Sequence, residues 1–378
     1  MSLAESNISE AVRSTVEKTQ DLPAPASSAG AYLIHPLEDL RWNELVGWHP
    51  GASVFHSAGW LAALRKTYGF EPLAFTTSSP RQPLRNAWLF CLVDSWLTGK
   101  RLVSLPFSDH CAPLAADPED LRRLMDALTA ELNDWRFRYL EIRPTSPVPD
   151  PGSCRSTQTY RWHQLDLTQP IDAIARAFHR DCVTRKIRRA ERENLSCLSG
   201  TSEELLQSFW RVYLQTRRRH RAPPQPMAWF RNLLSEFSGA ATIRVAAKDG
   251  IPIAAIFTLQ FRDSLVYKYG ASDDRFQNLG GTQFLFWRAI QEAKEKRLRK
   301  FDFGRSDYSN EGLILFKDRW GSQATDLIYS RFTSKPQFMK RKASEGNSAA
   351  SRAARNLLSH LPEPLFAAVG AALYRHIG

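Results

Sequence analysis

A local pattern that occurs twice is the feature that most constrains the fold of this chain. Residues 136–142 read RFRYLEI, and residues 297–303 read RLRKFDF. Each copy closes an amphipathic helical segment and opens a short apolar strand, and the order of elements around the two copies is the same. We therefore predict an internal duplication that gives an α/β (α+β) fold. Each of its two domains would contain a mixed β-sheet flanked by helices.

Hydrophobic periodicity predicts the elements of both halves. In the first half we predict helices at 53–69 and 118–135 and strands at 72–77, 86–96, 101–107 and 138–144. In the second half we predict a three-stranded meander at 240–272, a helix at 282–298 and a strand at 300–304.

The pattern divides the chain into four segments. We predict a disordered segment at 1–30, a first domain at 31–155, a second domain at 156–334, and a basic linker with amphipathic helices at 335–378. The boundary between the domains falls in the Pro-, Ser- and Gly-rich stretch 145–160. In the last segment, apolar residues recur every four positions from Leu357 to Ile377. These helices would either dock on the second domain or lie on an anionic membrane surface.

The charge of the chain points to anionic partners. Lysine and arginine number 51 against 39 aspartate and glutamate residues, which gives a formal net charge of +12. Such proteins tend to bind nucleic acid, CoA, nucleotide-linked precursors or anionic membranes, although a basic surface can also serve solubility alone. We find no nucleic-acid-binding module and expect no DNA partner.

Cysteine and histidine usage bears on compartment and metals. The five cysteines include no C-x-x-C pair, and the nine histidines show no H-x-x-x-H spacing. We therefore expect a reducing compartment, no disulfide framework and no metal site. The first twenty residues lack the apolar core of a secretory signal, and no apolar stretch reaches the length of a membrane span. We expect a cytoplasmic protein, in solution or at the inner face of the membrane.

A glycine pair between a predicted strand and a predicted helix is the first candidate binding motif. The loop contains Gln277, Asn278, Gly280 and Gly281. It matches two of the three defined positions of the phosphate loop Q/R-x-x-G-x-G/A, and free N–H groups at a helix start suit a pyrophosphate. The alternative is a tight turn with no ligand.

Two charged residues in apolar surroundings are candidates for catalysis. Asp302 lies between two phenylalanines, where it would act as a general base or form an ion pair with Arg305 or Lys317. Lys317 follows the apolar run that ends at Phe316, so its amine would either reach toward water or stabilise a developing oxyanion.

Two further polar clusters have competing interpretations. The basic stretch 176–192, with Arg185 and Arg188, is either a solvated helix face or a cradle for phosphates or RNA. Ser108, Asp109 and His110 are adjacent and so cannot converge as a catalytic triad. We expect them to form a polar loop that lines a cleft between the domains.

Several strings together resemble the FemAB-like branch of the GNAT acyltransferases. They are RLVSLPFSDHCAPL (101–114), DCVTRKIRRAERENL (181–195), the segment 279–321, and the C-terminal LPEPLFAAVGAALYRHIG. The sequence is most similar to BioF2-like acetyltransferases and to FemAB relatives of exosortase and exopolysaccharide systems. The resemblance covers about residues 35–335 and the tail, and it implies tandem GNAT-like domains.

The resemblance also implies an activity. Classical members transfer amino acids from aminoacyl-tRNA to a peptide amine of a peptidoglycan precursor, and they carry a helical-hairpin insertion that this sequence lacks. More distant relatives are taken to use acyl-CoA. In the classical members a Phe-Lys pair borders the reaction centre and the lysine is linked to catalysis; Phe316 and Lys317 match that pair.

We therefore expect an N-acyltransferase that acts on an amine of a cell-envelope or exopolysaccharide precursor. The donor would be acetyl-CoA or another acyl-CoA, with aminoacyl-tRNA as the alternative, and the C-terminal helices would supply any membrane contact. Lys317 would stabilise the oxyanion, Asp302 or Tyr269 would handle the proton, and 277–282 with Arg185 and Arg188 would hold phosphates.

The alternative class is a non-catalytic scaffold with the same fold at a membrane-bound polysaccharide assembly machine. An open pocket behind Gly280 and Gly281 would favour the enzyme. A pocket filled by Phe284 or Trp287 would favour the scaffold.

Overall fold

Twelve strands form one continuous β-sheet in the computed structural model. The structure describes residues 31–134, 137–148, 154–333 and 356–377. The strands are β1 (Tyr32–Ile34), β2 (Glu71–Thr76), β3 (Trp88–Val93), β4 (Arg101–Val103), β5 (Leu140–Ile142), β6 (Cys154–Asp166), β7 (Ser196–Gly200), β8 (Ala241–Lys248), β9 (Ile251–Phe261), β10 (Ser264–Ser272), β11 (Lys300–Asp307) and β12 (Gln323–Thr333).

The helices lie on the faces of this sheet. They are α1 (Arg41–Trp48), α2 (Ala58–Tyr68), α3 (Pro118–Asp134), α4 (Ile171–Arg176), α5 (Arg185–Arg192), α6 (Glu203–Arg219), α7 (Met227–Glu236), α8 (Gly281–Glu295), α9 (Glu311–Asp318) and α10 (Glu363–Ile377). Within the described ranges, no helix has the length and apolar character needed to cross a bilayer.

The strand order shows the duplication directly. The sheet runs β1-β2-β3-β4-β5-β12-β6-β11-β10-β9-β8-β7. Read from either edge, three antiparallel pairs are followed by a parallel pair (β4 with β5, β10 with β11) and then by an antiparallel pair. The predicted tandem α/β (α+β) fold with flanking helices is therefore confirmed, and the mixed sheets of its two halves are joined into one.

The two halves exchange their last strands. β6 follows the first half in sequence but pairs with β11, whereas β12 follows the second half and pairs with β5. β6 and β12 also pair with each other along their lengths. Because the sheet is continuous through this exchange, the division of the sequence at residues 155 and 156 stays a prediction.

A shared aromatic core also joins the halves. Trp60 of α2 and Trp229 of α7 are fully buried and meet edge to face, with ring centroids 5.1 Å apart. The helices approach so closely at Gly59 that an added Cβ would lie 2.9 Å from the carbonyl oxygen of Glu236. Residues from both halves therefore form one hydrophobic cluster.

Two expectations about strands are wrong. The strand expected at 101–107 ends at Val103. The N–H of Ser104 makes the last bond to β5, to the carbonyl of Glu141 at 2.9 Å, and the chain then leaves β5. β6 was not predicted, and its first residues lie in the stretch 145–160 that was expected to be a boundary. Pairing with β11 and β12, which are distant in sequence, gives this segment its extended form. The segments expected to be disordered (1–30) and to form a basic linker (from 335) lie outside the described residues, apart from the tail helices.

The buried carboxylate of Glu141 fixes the exchanged strand β12 to β5. Its Oε1 lies 2.7 Å from Nη2 of Arg143, and its Oε2 lies 2.5 Å from Nη2 of Arg331 in β12. Burial would raise the pKa of Glu141, but the charges of the two arginines outweigh it and lower the pKa to about 2. The carboxylate is thus held ionised between its two partners.

Replacing Glu141 with Gln is expected to lower the free energy of unfolding at neutral pH by about 3 kcal/mol. Because the folded-state pKa is lowered from 4.5 to about 2, the contribution of Glu141 is complete above pH 4.5 and is lost as the pH falls toward 2. Urea unfolding should show that the difference in free energy of unfolding between wild type and Glu141→Gln becomes smaller as the pH falls from 4.5 toward 2. Glu119→Gln, on an exposed helix face, is the control. An equal effect of both variants would contradict the assignment.

Candidate active site

A cavity of about 1030 Å³ opens in the second half where β10 and β11 part. The two strands pair only over Ser264–Val266 and Lys300–Asp302, although β10 continues to Ser272 and β11 to Asp307. A bulge in β10 leaves Lys268 without a pairing partner on β9. The diverging strands thus expose peptide groups along both edges of the opening, where an extended ligand can bond as a further strand would.

The start of α8 forms one end of the cavity. Gly280 precedes the helix with φ of 79°, and no side chain caps the helix start. An added Cβ at Gly280 would collide with the backbone carbonyl of Lys186, so this close turn requires glycine. The amine of Lys186 donates to the carbonyls of Gln277 and Asn278 at 3.3 and 3.2 Å. The first N–H groups of α8 lack intrahelical acceptors and lie beside this lysine, which suits an anion.

Some of the predicted binding residues lie at the cavity, and others do not. Gln277, Asn278, Gly281 and Phe316 line the cavity, and Gly280 forms the turn behind them. The cavity is open at this end, since Phe284 is buried in the core and Trp287 packs against Phe178 with ring centroids 5.6 Å apart.

The arginines predicted to hold phosphates do not line the cavity. Arg185 is exposed and pairs with Asp181 at 3.5 Å, and Arg188 is also exposed. Helical periodicity turns Lys186, one residue after Arg185, toward the loop instead. The interpretation of 176–192 as a solvated face fits both arginines, whereas Lys186 lines the cavity and the phosphate cradle stays a prediction.

A buried charge cluster lies where the strands part. Asp109, from the loop after β4, lies 3.1 Å from the amine of Lys268 and 3.9 Å from Nε of Arg305. Burial would raise the pKa of Asp109, but Lys268 and Arg305 outweigh it and lower the pKa. Burial also lowers the pKa of Lys268, and Asp109 opposes that shift. All three side chains line the cavity, so the first half contributes a carboxylate to the opening in the second.

Lys317 lies beneath this cluster. Its amine donates to the carbonyls of Gly304 and Arg305 at 2.7 and 3.0 Å, and its side chain is not part of the cavity lining. Burial lowers the pKa of Lys317 to about 8, against the opposing effect of Asp109 and Asp302. The amine thus satisfies two carbonyls of β11 at the point where this strand leaves β10.

Asp302 does not pair with either predicted cation. Its Oδ1 accepts hydrogen bonds from Nε1 of Trp162 at 2.8 Å and from the N–H of Gly304 at 2.7 Å. Its Oδ2 lies 3.8 Å from Nε2 of His110. The expected ion pair with Arg305 or Lys317 is wrong, because a bulge in β11 turns the carboxylate toward Trp162.

Tyr269 lines the cavity, and its hydroxyl accepts a hydrogen bond from Nε1 of Trp229 at 2.7 Å. Burial raises the pKa of Tyr269 well above its ordinary value, so the hydroxyl is neutral. It can donate a proton or a hydrogen bond but is a poor base at neutral pH.

The loop after β4 fits the expectation at one of its three predicted residues. Only Asp109 of its three polar residues reaches the cavity. The hydroxyl of Ser108 donates to the carbonyl of Leu105 at 3.0 Å, and His110 packs between Phe55 and Trp162. The three side chains form no catalytic triad.

The equivalent opening in the first half is closed. After β4 and β5 part, the loop from Ser104 to Cys111 fills the gap, and the N–H of Cys111 donates to the carbonyl of Arg143 at 2.7 Å. The first turn of α3 also carries Glu119 and Asp120. Acidic side chains at a helix start repel phosphates, so the start of α3 is less suited to an anion than the start of α8.

Sequence reasoning missed several cavity residues that carry charge, among them Lys186, Lys268 and Arg305. Lys186 stands among several arginines, and two of these, Arg185 and Arg188, were chosen as the binding residues instead. Lys268 stands in a strand between two tyrosines, and only its bulge position reveals it. Arg305 directly follows residues 301–304 (FDFG), but it was considered only as an ion-pair partner of Asp302.

Comparisons with known proteins identify the second half. Residues 177–312 match the family model described as the acetyltransferase (GNAT) domain. The second half of the chain therefore contains a GNAT acetyltransferase domain. No curated protein matches the sequence. The matched range contains α5, the meander β8–β10, the loop before α8 and β11, which are the elements around the cavity.

Solved structures share the fold at low identity. The crystal structure of FemX is similar with a TM-score of 0.59 and 13% identity, covering 81% of this chain and 98% of FemX. The C-terminal domain of a protein described as a lysylphosphatidylglycerol synthetase, from Agrobacterium fabrum, is similar with a TM-score of 0.50 and 13% identity, covering 80% of this chain and 93% of that domain. These structures confirm the predicted GNAT-type fold, and the FemAB-like family stays a prediction. The exosortase- and exopolysaccharide-associated branch stays a prediction.

Replacing Lys317 with Met is expected to change how stability depends on pH. The folded-state pKa of about 8 lies below the ordinary 10.5, so the unfolded chain binds the proton more tightly between these values. Wild-type stability should therefore rise relative to Lys317→Met by about 2 kcal/mol between pH 8 and pH 10, measured by urea unfolding.

Lys294→Met is the matched control for this measurement. The amine of Lys294 also donates to two backbone carbonyls, those of Leu167 and Gln169, but it is remote from the cavity. A pH trend that is the same in both variants would show that Lys317 has no special environment.

Proposed function

We propose that the chain transfers an acyl group from acyl-CoA to an amine of a cell-envelope or exopolysaccharide precursor. The observation that carries this proposal is the parting of β10 and β11 beside the uncapped start of α8. An extended thioester arm would bond to the free peptide edges, and its diphosphate would meet the first N–H groups of α8 and Lys186. Aminoacyl-tRNA is the alternative donor.

The reaction is attack by the acceptor nitrogen on the thioester carbonyl carbon. A C–N bond forms, the C–S bond breaks, the nitrogen loses a proton and the thiolate gains one. Asp109 is ionised beside two cations, so it would accept a hydrogen bond from the neutral amine of the acceptor and orient it. Tyr269 would relay the proton: its neutral hydroxyl protonates the leaving thiolate, and its oxygen takes up the proton that the nitrogen loses.

The oxyanion needs a donor near the bulge in β10. The N–H of Lys268 has no partner residue on β9, and the cationic side chain of Lys268 lines the cavity. We assign the stabilisation of the oxyanion to the N–H and the cationic side chain of Lys268. Lys317 holds the carbonyls of Gly304 and Arg305, and Asp302 holds the N–H of Gly304, so both would act by fixing β11 rather than by touching substrate.

The donor site can be tested at Thr282, in the first turn of α8. Thr282→Glu places a carboxylate where the diphosphate would bind, while a glutamate at a helix start does not weaken the helix. We expect this variant to bind acetyl-CoA at least about 10-fold more weakly than wild type in isothermal titration at physiological ionic strength. Thr282→Gln, which is neutral and of the same length, should remain within roughly threefold of wild type.

A charged tRNA mixture, titrated in parallel, separates the two donors. Saturable acetyl-CoA binding that Thr282→Glu weakens and Thr282→Gln retains supports the acyl-CoA donor. Salt-resistant preference for charged over uncharged tRNA, without acetyl-CoA binding, would replace it with aminoacyl transfer. If neither donor binds, the proposed donor site is wrong.

We further propose that the tail contacts an anionic membrane. α10 exposes Leu365 (55%) and Ile377 (53%), and next to its end Trp96 (86%) and Leu97 (53%) are exposed as well. The ring of Trp96 lies 5.7 Å from that of His376. The preceding segment 335–355 lies outside the described residues and is rich in lysine and arginine. Exposed aromatic and aliphatic side chains suit a lipid surface, and basic residues add attraction to anionic lipids.

Trp96→Ser is expected to weaken binding to phosphatidylglycerol-containing vesicles roughly 10-fold in a flotation assay. An indole that inserts into the lipid interface contributes strongly to membrane binding. Trp48→Ser removes another exposed tryptophan outside this cluster and should have no effect. Equal behaviour of the two variants, or no wild-type binding to anionic vesicles, would refute the membrane contact.

A further inference from the structure

The two edges of the sheet differ in how they are protected against pairing with another strand. β1 and β7 are the edge strands, and no strand of the described ranges pairs with the outer side of either. β1 has three residues and is soon followed by Pro36, which cannot donate to a further strand. β7 has five residues (SCLSG) and contains no proline, charge or bulge. Because natural proteins use those features to prevent edge-to-edge pairing, β7 is an open edge.

An apolar side chain stands at the centre of this open edge. Leu198 is the middle residue of β7 and is 56% exposed, although its pairing partner Val245 on β8 is buried. Burial of a leucine side chain contributes about 1.5–3 kcal/mol to packing or association. An exposed leucine on an uncharged strand edge therefore favours contact with a further strand.

A groove runs beside β7 on the opposite face of the sheet from Leu198. Its volume is about 300 Å³, and one side is formed by Cys197 and Ser199, which alternate with Leu198 along the strand. The other side is formed by the C-terminal half of α8, through Arg288, Gln291, Glu292 and Glu295. The carboxylate of Glu292 is already paired with Arg244 at 2.5 Å.

Two charges at this groove are available to a partner. Arg288 and Glu295 are exposed, and among the described residues neither has an oppositely charged side chain within ion-pair distance. They lie two helical turns apart, about 10 Å, so they do not pair with each other. Arg288 contacts the ring of Phe284, with its guanidinium carbon 5.8 Å from the ring centroid. This contact leaves the charge of Arg288 in place.

The strand directions determine how these charges would face a second copy of the chain. β7 is antiparallel to β10, since each step from β7 through β8 and β9 to β10 is antiparallel. α8 returns from β10 to the parallel strand β11, so it runs opposite to β10 and along β7. Arg288 therefore lies toward the start of β7 and Glu295 toward its end. A two-fold axis at Leu198 reverses this order, so Arg288 of one copy faces Glu295 of the other.

We propose that β7 is the interface of a homodimer, in which the β7 strands of two copies pair antiparallel about a two-fold axis at Leu198. The two leucines pack on each other at the axis, and the free peptide groups of both edges bond across it. Each Arg288 pairs with the partner copy's Glu295, and the partner copy closes the groove. Because a five-residue edge is small for an interface, we expect reversible association in about the micromolar range.

Sedimentation velocity of the full chain tests the dimer, over concentrations from about 1 to 100 µM. Wild type is expected to shift from monomer toward dimer across this range. Leu198→Lys should remain monomeric, because it places two ammonium groups opposite each other at the axis. Since Leu198 is exposed in the single chain, the variant should unfold thermally as wild type does. Ile328→Lys, which replaces another exposed aliphatic residue on the distant strand β12, should associate as wild type does.

Charge reversal tests whether the paired charges belong to different copies. Arg288→Glu places two carboxylates at each contact, and Glu295→Arg places two guanidinium groups there. Each variant alone should therefore associate roughly 10-fold more weakly than wild type. Mixing the two variants should restore association, since each contact then joins a glutamate of one chain to an arginine of the other. An effect within a single chain would not be restored by mixing.

Three results would overturn the interface. They are a wild type that remains monomeric at about 100 µM, a Leu198→Lys variant that associates as wild type does, and a mixture of the two charge variants that associates no more strongly than its components.

Discussion

β10 and β11 bond to each other only up to Val266 and Asp302, and the site depends on what happens just beyond that point. Two parallel strands that part expose peptide groups inside the protein, and buried peptide groups need partners. Lys317 supplies an amine to the carbonyls of Gly304 and Arg305, and Asp302 accepts the N–H of Gly304. These bonds fix the opening, so the remaining free edges can serve a ligand.

The exchange of β6 and β12 ties this opening to the first half. Because β6 pairs with β11, the first half lies against the opening, and its loop brings Asp109 within 3.1 Å of Lys268. Gly304 has φ of 70°, and an added Cβ there would lie 2.9 Å from Oδ2 of Asp109. The first half has lost the corresponding opening to its own loop and instead contributes a carboxylate and the shared aromatic core. The two halves thus form one site, in which the second half supplies the opening and the first half supplies Asp109.

The sequence predicted those features that are set locally. The repeated helix-to-strand pattern led to the tandem fold, and the glycine pair at 280–281 located the loop before α8, because a left-handed turn and a close approach both require glycine. Features set by pairing between distant segments were missed. Nothing local marks the strand exchange, the bulge that frees Lys268, or the turn of α5 that directs Lys186 rather than Arg185 to the loop. Likewise, Asp302 and Lys317 were noticed as buried charges, but their bonds to β11 depend on the path of the bulged strand.

The central claim is that a donor binds in the opening of the second half, and hydrogen–deuterium exchange with and without acetyl-CoA tests it most directly. The account predicts slower exchange of backbone amides in 267–272, 276–283 and 303–307, with little change in the loop 104–112 or at the start of α3. Protection at the start of α3, or none at 276–283 under conditions where acetyl-CoA binds, would contradict it.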